Sequence, residues 1–458
     1  MGRVGNKLAA LAPVALLIAA CSSASGSAGA VDSTVADPPG AVSAPESGGT
    51  DTTAATNDER DGCETPGGQP LQPTESVALE ELGEVDGIRV SGALYPRPRY
   101  EGNPWSQWGQ GYLLDDGRFF SAIGDHLGVD GNSFIYEYDP RSNQLTQIGD
   151  VLSYVDHVPG TWGYGKIHSQ MVPGPCGEIY FSTYWGSYRD IEFEGNYTGD
   201  ILFRLDPFAM TLSPLGVPIE FHGQASLASD VEHGLVYGEA IDPVLKNDDI
   251  DRGPFFAYDV ADETVVYRGP DEPHVEFRSI LVDQDGAAYY SIGGGGLVRY
   301  DPATGEPTTL PSVLPGDSLR AVTEVTPDGS VFGATSDPDH LFAMDASGQF
   351  MDLGPALGYT ASVAASPDGS EFYYMPGAHG DSAEWGSPII SVDTATGHQT
   401  TIVELNELVE DATGFTVGGT YNIAVSRDGS RIFVGANVGE PGSDSTFGEV
   451  MLLIIDLP

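Results

Sequence analysis

The segment Tyr164-Gly165-Lys166-Ile167-His168-Ser169-Gln170 holds a phenol, an ammonium, an imidazole, a hydroxyl and an amide in seven residues. It also carries one of only three lysines in the 458-residue chain, the others being Lys7 and Lys246. The chain is otherwise strongly acidic, with 67 Asp+Glu against 19 Lys+Arg and a formal charge of −48. Basic groups retained against such a background would focus an anion. Arg278 and Arg320 are candidates to neutralise a carboxylate through paired N–H donors. His168, Tyr421 and Lys166 are the candidates to move a proton, and a Tyr or His does so near neutral pH only where neighbouring cations tune it. Tyr164, His222 and Gln224 complete the candidate binding set. The plainer alternative is a hydrogen-bonded structural histidine, with arginines that tie neighbouring units together through carboxylates.

These residues are related by a repeat. Turn glycines stand at 117, 177, 234, 286, 329, 369 and 429, seven units with a mean period of 52 residues. Most follow an Asp, and Asp-Gly between apolar runs is a strong hairpin signal, expected here as a type I′ turn. Each unit reads as strand, tight turn, strand, loop, strand, turn, strand, as in Ala287-Ala288-Tyr289-Tyr290-Ser291 followed by Gly296 to Gly305. Second strands such as Ile179-Tyr180-Phe181 and Phe372-Tyr373-Tyr374 are apolar on both faces, so neighbouring units must cover them. Seven such units in one uninterrupted series predict an all-β, seven-bladed β-propeller. Nine residues before the turn glycines stand Trp108, His168, Ala225, Phe277, Arg320, Thr360 and Thr420. That register puts His168, Arg320 and their neighbours Lys166, Arg278 and Tyr421 around one central funnel. The loops on that face are long and irregular (124–133, 184–200, 241–254, 376–387, 437–449), and variable loops on a regular scaffold carry binding.

The seventh unit ends at Pro458 after its third strand. Val77 to Gly83 matches the fourth-strand phrase Gln144 to Gly149, so an N-terminal strand is expected to close the last blade and remove the open edge. Residues 1–20 read as a leader: Arg3 and Lys7, then a 13-residue apolar run too short to span a bilayer. Ile18-Ala19-Ala20-Cys21 has the small residues before cysteine of a bacterial lipobox, so Cys21 is expected to carry lipid and anchor an extracytoplasmic protein. Residues 21–75 contain no aromatic residue and are rich in Ser, Thr, Gly, Ala, Pro and Asp, the composition of a flexible tether. The propeller is assigned to 76–458, and Cys63 is expected to pair with Cys176. No cofactor is expected; Asn247 to Gly253 is a weak calcium-loop match, and His126 with Asp130 a weaker metal pair. The acidity excludes general nucleic-acid binding, and a monomer touching the membrane through its lipid alone is expected.

The phrase Gly296-Leu297-Val298-Arg299-Tyr300-Asp301-Pro302-Ala303-Thr304-Gly305 resembles the repeats of the superfamily that includes streptogramin lyase, the YVTN-type propellers and WD40-like bacterial surface proteins. Lys166-Ile167-His168, followed by Ile179-Tyr180-Phe181-Ser182-Thr183, is similar to exported bacterial propellers. The resemblance implies the fold and says little about activity. Seven-bladed polysaccharide lyases of the oligogalacturonate and ulvan types share this architecture, with His, Tyr and Arg around the funnel. The resemblance thus implies an acidic glycan as ligand. It also raises possible cleavage by β-elimination: Arg278 or Arg320 neutralises the uronate, His168 takes the C5 proton, and Tyr421 or Lys166 assists the leaving oxygen. The His/Glu magnesium motif of streptogramin lyase is not evident. The competing expectation is a non-enzymatic surface propeller that binds proteins or glycans through its loops.

Overall fold

The protein is seen in a computed structural model that describes residues 67–98, 105–185, 197–242, 251–274, 278–442 and 448–458. Seven antiparallel sheets form the seven blades of a propeller. Blade 1 runs outward as Tyr112–Leu113, Phe119–Gly124, Ser133–Asp139 and Gln144–Asp150. Blade 2 is Val172–Pro173, Ile179–Tyr184, Leu202–Asp206 and Thr211–Gly216, and blade 3 is Gly223–Asp230, Leu235–Ile241, Phe255–Asp259 and Thr264–Arg268. Blades 4, 5 and 6 begin at Leu281–Val282, Ser318–Val322 and Thr360–Ala365 and each have four strands.

The core lies between blades. All six residues of Phe119–Gly124 and of Ile179–Tyr184 are buried, as are all seven of Leu235–Ile241. Outer strands are half wet: Thr264–Arg268 alternates exposed and part-buried. Rings from adjacent blades stack face to face. Phe255 and Tyr290 join blades 3 and 4 at 4.4 Å between centroids, and Phe332 and Phe372 join blades 5 and 6 at 5.5 Å. Each such ring contributes roughly 2–3 kcal/mol by burial, plus the stacking preference of its partner.

The first-to-second-strand turns hold the seven glycines in the left-handed region, with φ from 67° to 84°. Their geometry differs from the type I′ expectation. The preceding Asp116, Asp285, Asp328, Asp368 and Asp428 keep negative φ, and Gly117 N–H donates to Leu114 O, three residues back. This is a type I turn closed by one left-handed glycine. The aspartate is retained because its carboxylate caps the turn, as Asp368 does for the Ser370 amide at 3.0 Å.

Ring closure uses an N-terminal strand, one hairpin later than expected. Blade 7 is Thr416–Val425, Arg431–Gly439 and Glu449–Asp456, and its fourth strand is Ile88–Leu94. Glu80–Val85 lies outside that as a fifth, while Ser76–Ala78 adds to the edge of blade 1. Strand pairing begins earlier still, where Gln69–Pro70 joins blade 2. Ile88 and Val90 are buried in the blade 6–7 core, whereas Ser76 and Ala78 are exposed, so the later strand has the burial that closure needs. The helix Asn406–Thr413, terminated at Gly414 with φ 79°, joins blades 6 and 7 and was not foreseen in the repeat. Cys176 is disulfide-bonded. Its expected partner Cys63, as well as Cys21 and the segment expected to be a leader, lie outside the described residues. No helix among the described residues is long and apolar enough to cross a membrane.

Candidate functional site

Irregularities in the first strands aim side chains at the axis. In blade 2 the strand is interrupted: Lys166–Ile167 and Val172–Pro173 both pair with Ile179–Tyr184, leaving His168 in the gap. In blade 5 the register shifts between Leu319 and Ala321, at Arg320. Blade 7 shifts between Thr420 and Ile423, around Tyr421, and blade 3 between Gln224 and Ser226, at Ala225. A residue released from the ladder turns its side chain out of the pleat. The repeat of this defect from blade to blade is what gathers the site.

Trp108 is the hub. Lys166 Nζ lies 3.7 Å from its ring centroid, and Tyr421 stacks on it at 4.9 Å. The indole N–H donates to Ser106 Oγ at 2.8 Å, and that hydroxyl is in turn 2.8 Å from His126 Nε2. Arg278 Cζ lies 5.7 Å from the Trp108 ring and 5.6 Å from the Tyr421 ring. Arg320 Cζ lies 4.4 Å from the Tyr359 ring and 5.8 Å from that of Tyr421, and its Nε donates to the Tyr359 hydroxyl. Tyr359 stacks on His379 at 4.8 Å. A ring face holds a cation at about 0.5–2 kcal/mol.

The two axial arginines differ in what they touch. Arg278 Nη1 points at His168 Nε2, and His168 Nδ1 is 2.8 Å from the carbonyl of Ala225. The consistent tautomer donates from Nδ1–H to that carbonyl and accepts the guanidinium N–H at Nε2. Burial, then Arg278, Lys166 and Arg320, hold His168 well below the usual imidazole value. His126 is depressed by burial and by Lys166; His379, although exposed at one edge, by desolvation and then by Arg278, Arg320 and Lys166. All three imidazoles are therefore neutral at pH 7. Arg320 is 1% exposed, forms no ion pair with a carboxylate among the described residues, and has no acceptor for its buried Nη2. Elsewhere the arginines do tie blades together. Arg118 reaches Asp116 at 2.8 Å, Glu137 at 3.1 Å and the carbonyl of Pro207 in blade 2, and Arg204 reaches Glu263 of blade 3 at 3.0 Å.

Of the residues expected from sequence, Lys166, His168, Arg278, Arg320 and Tyr421 converge, from blades 2, 4, 5 and 7. Three do not join them. His222 is turned back onto the Glu220 carbonyl at 2.7 Å. Gln224 is buried and donates to the Asp200 carbonyl at 2.7 Å, supporting the backbone of blade 2. Tyr164 packs with the core between blades 1 and 2. His168 is geometrically unsuited as a base, because its accepting nitrogen already faces Arg278. Tyr184, stacked on His168 at 4.8 Å, was not foreseen, since it ends a second strand and lies outside the first-strand register. Phe277 lies outside the described residues. No group of three or more His, Cys, Asp or Glu among the described residues could hold a metal. Asp130 pairs with His157 at 2.8 Å instead of His126, and Asp251–Gly253, the end of the calcium-like loop, forms a strand with Glu272–His274.

No protein-family model matches the chain, and no curated protein matches it. Solved structures do. U3-55K is 12% identical over 81% of this chain and 98% of its own, with a TM-score of 0.50. The WD40 repeats of RRP9 (11%, covering 85% and 100%) and streptogramin B lyase (12%, covering 80% and 98%) each have a TM-score of 0.49. At such identities the likeness is one of fold, and the fold is a seven-bladed β-propeller.

Proposed function

We propose that this chain is a lipid-anchored extracytoplasmic protein that binds an anionic ligand, a carboxylate-bearing glycan, in the axial funnel. The supporting observation is Arg320: a buried guanidinium in no ion pair among the described residues, its charge met only at longer range by Asp339, with an Nη2 lacking an acceptor. A buried charge left in this state costs several kcal/mol, a cost that the charge of a ligand carboxylate in the funnel offsets. Lys166 and Arg278 stand beside it against the Trp108 and Tyr421 rings, and His168 acts through Arg278 by fixing its orientation. Titration calorimetry with oligogalacturonate and with its carboxyl-reduced, neutral counterpart tests the reading. Binding of the charged oligomer alone, weakening with salt, is expected; equal binding of both overturns it.

A second reading, cleavage of the same ligand by β-elimination, is favoured by Tyr421, whose ring has Arg278 and Arg320 Cζ at 5.6 and 5.8 Å. Tyr421, its own proton first released to solvent, takes the C5 proton as phenolate, the C4–C5 double bond forms, the C4–O bond breaks, and the leaving oxygen takes a proton from the Lys166 ammonium. Absorbance of the unsaturated product, lost in Tyr421→Phe, tests it; no product from any uronate polymer leaves binding alone.

A further inference from the structure

On the face of the short glycine turns lies a cavity of the opposite character. There the first strands of blades 1 to 5 enclose about 420 Å³, within the range that takes a small organic ligand. Its walls are apolar: Leu227, Ile280, Val282 and Val322. Gln170 contributes to its lining and is itself held, donating to the Arg278 carbonyl at 2.8 Å and accepting from Leu227 N–H at 3.0 Å. No Lys, Arg or His lines this cavity, while Asp230, Glu232, Asp283 and Glu324 do. Asp230 is committed to His233 at 2.6 Å, and Asp283 to Tyr289 at 2.9 Å. Glu324 is different. It is exposed at the cavity's edge on blade 5, and its charge acts on the phenol of Tyr112, which lines the cavity from blade 1.

We propose that this turn-face cavity binds a small organic cation with an apolar body, a protonated alkyl or aralkyl amine, its chain against Leu227, Ile280 and Val322 and its ammonium beside Glu324 and Tyr112. The wall composition favours the apolar body over a bare metal ion or an extended polyamine. The carboxylates favour a cation over a fatty acid of equal length. An ammonium here answers both the charge of Glu324 and the face of Tyr112. None of Lys166, His168, Arg278, Arg320 and Tyr421 lines this cavity, so either reading can fail without the other.

The test is titration of the full chain, at fixed ionic strength, with hexylammonium, hexanoate, tetramethylammonium and spermidine. Hexylammonium is expected to bind, with hexanoate silent and the other two at least tenfold weaker. Glu324→Gln should weaken hexylammonium roughly two- to fivefold, the effect of losing one exposed charge partner, and Val322→Trp should abolish binding by filling the cavity. If Val322→Trp does not fold, Glu232→Gln serves as the second variant and should weaken binding less than Glu324→Gln. Spermidine binding as tightly as hexylammonium, or affinity unchanged in Glu324→Gln, overturns the proposal.

Discussion

Arg320 and Arg118 are both buried arginines, yet they predict opposite responses to substitution. Arg118 ties blade 1 to blade 2 through the Pro207 carbonyl, with its charge met by Asp116 and Glu137 of its own blade. Arg118→Met should strand Glu137 and cost about 3 kcal/mol of stability, read by denaturant unfolding. Arg320 is in no such ion pair among the described residues, so Arg320→Met should leave the fold unchanged or more stable while anion affinity falls by two orders of magnitude or more. His168→Ala should weaken binding less than Arg320→Met, because the imidazole acts by holding Arg278. These cations were legible in the sequence because basic residues are so rare in it and because the turn glycine supplies a common register. His222 and Gln224 were misplaced because counting residues back from the turn does not reveal which one leaves the ladder. Only Ala225, between Gln224 and Ser226, does so in blade 3. Tyr184 was invisible for a different reason: its burial among aromatic rings depends on the neighbouring blades.

At the level of strands, the ring depends on its clasp. Val90 is fully buried in the closing strand, while the neighbours of Val77 in Ser76–Ala78 are exposed. Val90→Asp should therefore cost more than about 4 kcal/mol by burying an unpaired charge, and Val77→Asp less than about 1. Urea midpoints of the two variants check this, and equal midpoints would place closure at the wrong strand. The sequence carried the seven units plainly, since Asp-Gly turns and two-sided apolar strands are local signals. It misplaced the clasp because Val77 to Gly83 imitates a fourth strand in pattern. The true clasp, Ile88-Arg89-Val90-Ser91-Gly92-Ala93-Leu94, has the small residues Ser91, Gly92 and Ala93 in mid-strand. Gly92 is required there: a Cβ would meet the Leu453 side chain at 2.8 Å and the Leu452 carbonyl at 2.9 Å. Such a constraint is visible only once the two ends of the chain are side by side.

Across the whole molecule, acidity sets the response to pH. Burial pushes Asp200 up to about 7, against hydrogen bonds from Tyr197 and Thr183 that pull it back. Asp125 is raised to about 7 by burial as well. Between pH 4 and 7 the folded chain therefore holds protons at these sites that the unfolded chain releases. Their contribution is fully present below about pH 4 and is lost as pH rises through about 7. Asp200→Asn should remove this loss, so its melting temperature should gain on the parent as pH rises from 4 to 8; parallel curves would contradict the assignment. Lipid anchoring makes a separate prediction: Cys21→Ser should move the protein from the membrane fraction to the soluble one.

Thermal unfolding of the parent and of Arg320→Met, each with and without saturating oligogalacturonate, joins stability and binding in one experiment. The account predicts that the uronate raises the parent melting temperature and leaves the variant unmoved, while the unliganded variant melts no lower than the parent. A variant that melts lower without ligand, yet gains as much as the parent when the uronate is added, would make Arg320 a structural brace and remove the basis for an axial anion site.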